Sequence, residues 1–451
     1  MKNILSAITA KRLSHPSRVR TIDASLEGPE PNKRAFLRGV AAAGGSLPAM
    51  YFLLDRPGDA IAKSLEAAAT SATPSEGTGT VRIVRDFTNS RLELVRLLKE
   101  AAEIEHSLMI QYLYAAFSLK SAYRGLLDRG DPNTNDLLGV AIQEMQHLAD
   151  VNELLVELGA APVLVRQDFS YEPDIYPFPL NLEPMSRESL AKYVYCEAPE
   201  TALDRKHAKT PEDVAFLDML DAALGTSARP NLIGSLYGRV IDTLEEFSKQ
   251  TGEIKDLHKW VKKLDEIKDE GEDGHFTFFK AAFMGTHKAF KGRPDVWRLA
   301  KTDPNYPAVD LPTNPSAYVG HEHQIADPTT LSIAWLGNLQ YWMVLMLLDL
   351  GYRHKTKPHR EAAKFLMMGP FWSLSRFLPT RGAGMPFDQL SVGYSMGVDQ
   401  AANMKFIATL AAEIDTLEIQ LKDKLPDDYM SGSTKQALDM IAAAPAQLEK
   451  S

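Results

Sequence analysis

Apolar residues recur every three or four positions along most of the chain after residue 88, and long runs of strict alternation are scarce. This spacing places apolar side chains on one face of an α-helix, whereas alternation would place them on one face of a strand. In the stretch 137–159 the repeated apolar positions are Leu137, Ala141, Leu148, Val151, Leu155 and Leu158. The pattern predicts an all-α protein whose helices each bury one face.

Two polar residues lie on or beside the apolar face of the stretch 137–159. Glu144 and His147 stand three positions apart, so their side chains leave the same face of a helix. A buried carboxylate beside a buried imidazole is unfavourable unless another interaction compensates, and a bound metal ion is the usual one. The pair therefore predicts a metal site inside the protein.

Other predicted helices carry similar side chains. Glu105 is the carboxylate in the centre of the apolar face of a helix predicted over 88–120. Glu272 and His275 form a second Glu-x-x-His pair in a helix predicted over 255–285. Together these positions predict that acids and imidazoles from separate helices meet at one level of a helical bundle.

A fourth acid is harder to place. The remaining long helix is predicted over 231–250. Counting back from the turn that ends it, a ligand at the level of the others should lie near 231–236, and no carboxylate is there. Glu197 ends a short helix predicted over 186–198 and is the candidate. Four carboxylates and two neutral imidazoles balance two divalent ions, and mixed oxygen and nitrogen ligands suit iron or manganese. The alternative for each pair is an ordinary hydrogen-bonded or surface Glu and His.

Composition narrows the functional classes. The net charge of −9 argues against nucleic acid as the main partner. With Cys196 as its one cysteine, the chain forms no internal disulfide. The stretch 330–350 approaches the length of a membrane span, but Asn338, Gln340 and Asp349 interrupt it. We therefore predict a buried core helix there and no stable membrane span in the mature chain.

The N-terminal segment resembles a twin-arginine export signal. Lys33 and Arg34 stand in the sequence NKRAFLR, a short apolar run follows at 39–54, and cleavage after Ala62 is compatible with the small residues there. We predict an export signal over 1–62, a linker over 63–87 and a periplasmic location. The alternative is a disordered tail on a cytoplasmic protein.

Residues 88–290 are predicted to form the bundle with the metal site, and residues 291–451 a C-terminal region packed on it. This region begins with a proline-rich connector, and its predicted helices are 330–350, 359–378, 395–424 and 433–448.

Several motifs, taken in order, resemble those of a known family. The segment Glu105–Ala115 (EHSLMIQYLYA), the pair EMQH ending at His147, and EGEDGH ending at His275 are similar to motifs of the ferritin-like domain of iminophenyl-pyruvate dimer synthases, which act in bisindole pigment pathways. The resemblance covers about residues 88–390. It implies a ferritin-like four-helix bundle with additional C-terminal helices. The ligands that it implies are Glu105, Glu144, His147, Glu272, His275 and, less directly, Glu197.

The leading functional hypothesis is a ferritin-like di-iron or Fe/Mn oxidase or oxygenase. Its partners would be O2 and a small organic substrate, by resemblance an amino-acid or aryl-pyruvate derivative. Tyr112 or Tyr237 would act beside the two iron ions as a hydrogen-bonding or redox residue. Two alternatives stay open, a metal-binding or storage protein without organic substrate and a metal-free scaffold, and the oligomeric state is also open.

Overall fold

α-Helices make up most of the residues that the computed structural model describes, namely 83, 85–127, 135–166, 175–293, 295–389, 397 and 399–444. Within these ranges there are two isolated β-bridges and no strand. The all-α prediction is confirmed. The export signal predicted over 1–62 and most of the linker predicted over 63–87 lie outside the described residues.

The helices of the bundle region are α1 (Ser90–Ser118), α2 (Leu137–Glu157), α3 (Arg187–Glu197), α4 (Glu200–Leu203), α5 (Pro211–Leu224), α6 (Ile233–Thr251), α7 (Leu257–Asp269) and α8 (Phe276–Phe283). A π-helical turn, Glu270–His275, joins α7 to α8. The later helices are α9 (Pro328–Arg353), α10 (Lys357–Leu366), α11 (Trp372–Phe377), α12 (Gln400–Leu421) and α13 (Ser433–Ala443).

The first two helices are long, uninterrupted and packed along each other. The side chain of Asn89 accepts a hydrogen bond from the first turn of α1, and that of Asp136 accepts two from the first turn of α2. Such caps satisfy backbone N–H groups that have no partner within the helix. Because both helices stay regular, side chains three positions apart keep a common face along their full length.

The other side of the bundle is built from interrupted helices. α8 packs on α3, and α7 packs on α6. The column formed by α7, the π-helical turn and α8 therefore runs along two separate segments, α3 and α6. The short helix predicted over 186–198 and the long helix predicted over 231–250 are both confirmed, as α3 and α6, and the two lie along successive parts of that column. The predicted fourth helix is interrupted too, where the π-helical turn inserts.

The C-terminal helices cover the bundle. α9 is long and apolar enough to cross a membrane by length and composition, but 78% of its most apolar window is buried inside the protein. It packs against α10, α12 and α2, as the core helix predicted for this stretch should. The predicted helix 359–378 is broken by a second π-helical turn at Gly369 and Pro370, since proline cannot donate the backbone hydrogen bond of a regular helix.

Candidate metal centre

Two groups of buried acids and imidazoles meet between the helices. Glu105, Glu144 and His147 form one group, and Glu144, Glu197 and His275 form the other. In each group one potential ligand atom per residue lies within 4.8 Å of the others, and all five side chains are buried. Glu144 belongs to both groups, so its carboxylate lies between two sets of side chains that could each hold a cation.

Glu144 contacts both imidazoles with different oxygen atoms. Its Oε2 lies 2.8 Å from Nδ1 of His147, and its Oε1 lies 3.1 Å from Nδ1 of His275. The two rings stack with centroids 5.9 Å apart. Regular α2 geometry explains the first contact, because positions three apart face the same way. The arrangement directs the Nδ1 atom of each ring into the centre.

The opposite nitrogen of each ring faces an acceptor outside the centre. Nε2 of His147 lies 3.0 Å from Oε2 of Glu270, and Nε2 of His275 lies 3.0 Å from Oε1 of Gln143. Both oxygens accept hydrogen bonds, so each Nε2 carries the proton and donates. Metal-binding histidines are usually held in this way, with one nitrogen free for the metal and the other donating to a fixed acceptor.

Two tyrosines hold the outer carboxylates. The hydroxyl of Tyr237 donates to Oε1 of Glu105, and that of Tyr112 donates to Oε1 of Glu197. The second oxygen of each acid faces the centre: Oε2 of Glu105 lies 3.7 Å from His147 Nδ1, and Oε2 of Glu197 lies 3.3 Å from His275 Nδ1. Burial raises the pKa of both tyrosines, so their hydroxyls remain donors at neutral pH. Each tyrosine thus occupies one oxygen and leaves the other for a cation.

The buried carboxylates and imidazoles shift one another's pKa values. Burial and repulsion by Glu144 raise the pKa of Glu105 to about 8. Burial also acts to raise the pKa of Glu144, but attraction by the two imidazoles outweighs it and holds that pKa below its usual range. For His275, burial acts to lower the pKa, but Glu144 and Glu197 raise it to about 9. Protons on the imidazoles therefore supply the positive charge that the carboxylates require.

These side chains fit a pair of metal ions. Oε1 of Glu144 is buried and forms no well-aligned hydrogen bond among the described residues, although Nδ1 of His275 lies 3.1 Å from it. A buried acceptor without a well-formed hydrogen bond is rare in a protein interior unless a water or an ion fills its place. Carboxylate oxygens and imidazole nitrogens are ligands of iron and manganese, and binding would replace the protons on the rings.

Glu272 is the predicted ligand that the structure places outside both groups. Its side chain is about half buried, and its carboxylate lies so close to Gly234 that a methyl group there would overlap it. The reason is the π-helical turn. Its hydrogen bonds join residues five apart, so positions three apart, such as Glu272 and His275, no longer share a face. Glu272 still lines the same cavity, and its ligation of a metal stays a prediction.

Two residues of the centre were not predicted from the sequence. Glu270 stands five positions before His275, and Gln143 precedes Glu144. The glycines Gly271 and Gly274 were a usable signal, because glycine weakens a regular helix. Gln143 carries no charge, and no feature of the sequence indicated its role.

A cavity opens onto the centre and has an empty volume of about 320 Å³, which includes space open to solvent. Five of the ligand candidates, all except His275, line it together with Leu108, Cys196, Ile233, Ile267 and Lys268. Lys268 is the lysine in this lining, and its charge acts on the carboxylate of Glu272. The cavity thus combines acidic residues, an apolar wall, the imidazole of His147 and one lysine.

Comparison with known proteins agrees with this architecture. Residues 98–280 match the family model described as Ferritin-like. The chain is 26% identical over 317 residues to a dichlorochromopyrrolate synthase of Lentzea aerocolonigenes, which covers 58% of this chain and 31% of that protein. It is 30% identical over 175 residues to a 2-imino-3-(indol-3-yl)propanoate dimerase of Chromobacterium violaceum, which covers 31% of this chain and 17% of that protein. The family resemblance predicted from the motifs is confirmed.

The matched region spans less than a third of the length of either relative. No solved structure matches the chain significantly.

Proposed function

Since the chain contains a ferritin-like domain related to a synthase and an imino-acid dimerase, we propose that it is a di-iron or Fe/Mn oxidase or oxygenase that uses O2 on a small organic substrate. The observation that carries the proposal is the pair of buried Glu/Glu/His groups that share Glu144. A storage protein would need the acids as well, but it would not need a cation in the wall of the cavity.

The two buried groups are compatible with two ions. Glu105, Glu144 and His147 would hold one ion, and Glu144, Glu197 and His275 the other. Three carboxylates balance three of the four charges of two divalent ions, and Glu272 at the cavity wall offers the fourth. The metal pair would supply the electrons for O2 reduction, which no side chain of the centre supplies by itself.

The surrounding side chains would orient the ligands. Tyr112 and Tyr237 each fix one oxygen of a carboxylate by donating a hydrogen bond. Their burial excludes water from that side of the centre. Their hydroxyls are also proton donors that lie directly beside ligand oxygens.

Lys268 indicates the class of substrate. A cation at the wall of an otherwise acidic cavity favours a substrate with an anionic group, because it offsets repulsion from the carboxylates. The printed name of one relative describes a 2-imino propanoate, which carries such a group. We therefore propose a 2-imino carboxylic acid with an apolar side chain, its carboxylate paired with Lys268.

The test starts from the metal-free protein, loaded with Fe²⁺ without oxygen. An aryl-pyruvate mixed with ammonium provides the 2-imino acid without any oxidase. We expect about two iron ions per chain, O2 uptake that depends on the imino acid, and coupled or oxygenated product by mass spectrometry. The methyl ester of the aryl-pyruvate should react poorly, because it lacks the charge that Lys268 would bind.

Other outcomes would contradict parts of this proposal. Metal content well below one ion per chain would remove the oxidase hypothesis. Two ions per chain with O2 uptake that ignores every organic substrate would instead favour metal storage.

A further inference from the structure

The acceptors behind the two imidazoles differ in charge and in exposure. Behind His147 stands the carboxylate of Glu270, whose side chain is 44% exposed. Behind His275 stands the neutral amide oxygen of Gln143, whose residue is 8% exposed. The two rings are otherwise alike, since each faces the centre with Nδ1 and contacts Glu144.

The π-helical turn is what brings Glu270 to this place. In a regular α-helix, residues five apart point about 140° away from each other. In an i→i+5 turn they share a face, so Glu270 and His275 both point toward α2. The turn thus adds a charged acceptor to one side of the centre without moving His275 out of it.

The consequence is an imbalance of negative charge. The position between Glu105, Glu144 and His147 has the additional carboxylate of Glu270 beyond the ring. The position between Glu144, Glu197 and His275 has a neutral amide in the same place. Glu272, the other acid of the cavity, belongs to neither group and lies near Lys268.

We propose that the two metal positions are inequivalent, and that Glu270 is a positioning residue which makes the Glu105/Glu144/His147 position the tighter one and the first to fill. An anionic acceptor polarises the N–H of the imidazole and makes Nδ1 a better ligand than a neutral acceptor does. The inference rests on the proposed metal centre and adds an order of loading to it.

The size of the effect follows from the environment of Glu270. Loss of such an outer partner typically weakens metal binding by about 10- to 100-fold. Because nearly half of the Glu270 side chain is exposed, water screens its charge, and we expect the lower end, about tenfold.

The experiment is a titration of the metal-free protein with Co²⁺ in the absence of oxygen, followed by visible absorption. The wild-type chain should show two binding steps. Glu105→Gln should remove the first step, and Glu197→Gln the second. Glu270→Gln should weaken the first step about tenfold and leave the second unchanged.

Two further variants make the result specific. Asp273→Asn removes the same charge from the same π-helical turn, where Asp273 is exposed, and should leave both steps unchanged. Gln143→Glu places a charge behind His275 and should tighten the second step toward the first. Circular dichroism checks that this buried variant folds.

Several results would overturn the inference. One is loss of the first Co²⁺-binding step in Glu197→Gln. Another is a Glu270→Gln variant in which both steps change equally or neither changes. The third is an Asp273→Asn variant that weakens the first step as much as Glu270→Gln does. Loss of every binding step in Glu270→Gln would make it a direct ligand instead of a positioning residue. No Co²⁺ binding by the wild-type chain would defeat the metal centre itself, which is a different result from failure of the loading order.

Discussion

The two sides of the bundle supply matching side chains by different routes. On one side, α1 and α2 run without a break and provide Glu105, Glu144 and His147. On the other, Glu197 comes from the last residue of α3, and His275 from a π-helical turn. Interruptions of helices are common at functional sites, because they point side chains where a regular helix cannot.

The regular and the interrupted helices have different roles in the centre. The regular side fixes the shared carboxylate, Glu144, by spacing within one helix. The interrupted side adapts around it, with Glu197 and Glu270 brought in by a helix end and by a widened turn. Damage to the regular side should therefore affect the whole centre, whereas changes on the other side should be partial.

The largest effect is expected for Glu144→Gln. Glu144 contacts both imidazoles, so the variant should lose both ions, and metal per chain should fall from about two to well below one. Removing one partner of a buried charge pair also costs about 3–5 kcal/mol, so the metal-free variant should unfold at lower urea. Metal analysis and urea titration measure the two effects. Glu103→Gln, on α1 and outside both groups, is the control, and retention of two ions by Glu144→Gln would contradict the shared role.

An intermediate effect is expected from pH in the metal-free protein. The folded-state pKa of His275 is about 9, above the usual value of 6.5, and that of Glu105 is about 8, above 4.5. A group whose pKa is higher in the folded protein than in the unfolded chain contributes stability in full at pH values below its unfolded-state pKa. That contribution is lost as the pH rises through its folded-state pKa. Stability should therefore fall by a few kcal/mol between about pH 4.5 and 9, first as Glu105 and then as His275 favours the proton in the folded state.

Metal should reverse this trend. Bound ions supply the positive charge without protons, and their binding strengthens as the imidazoles lose protons. Urea unfolding at several pH values, with and without Mn²⁺, measures both curves. A metal-free protein as stable at pH 9 as at pH 6.5 would show that the buried charges are not held as described.

The same contrast explains which features the sequence could predict. Glu144 and His147 followed from spacing, because α2 is regular and spacing then reports a common face. Glu197 followed from the absence of an acid at the start of α6. Glu270 was not predicted, since a periodicity of 3.6 assigns it to another face of the helix than His275, and the glycines Gly271 and Gly274 were the signal of a break there. The helices α3 and α6 were each predicted, but their packing along one column of α7, the π-helical turn and α8 was not, because each segment has an ordinary local pattern.

The smallest expected effect is a difference in stability between alanine variants of two glycines of α6. A methyl group on Gly238 would meet nothing within 4 Å, so Gly238→Ala should stabilise the helix by up to about 1 kcal/mol. A methyl group on Gly234 would overlap the carboxylate of Glu272, so Gly234→Ala should lose that gain. Urea unfolding of the two metal-free variants measures the difference.

The pair also reports on Glu272 itself. Its flexible side chain must move away from Gly234 in the alanine variant, and the cavity that it lines is one direction open to it. If Glu272 is the fourth carboxylate of the metal pair, Gly234→Ala should bind Mn²⁺ at least as tightly as the wild-type chain, whereas Gly238→Ala should bind it unchanged. Weaker Mn²⁺ binding by Gly234→Ala, with unchanged binding by Gly238→Ala, would give the opposite answer. Glu272 would then support metal binding from its present position beside Gly234, on the side of α6.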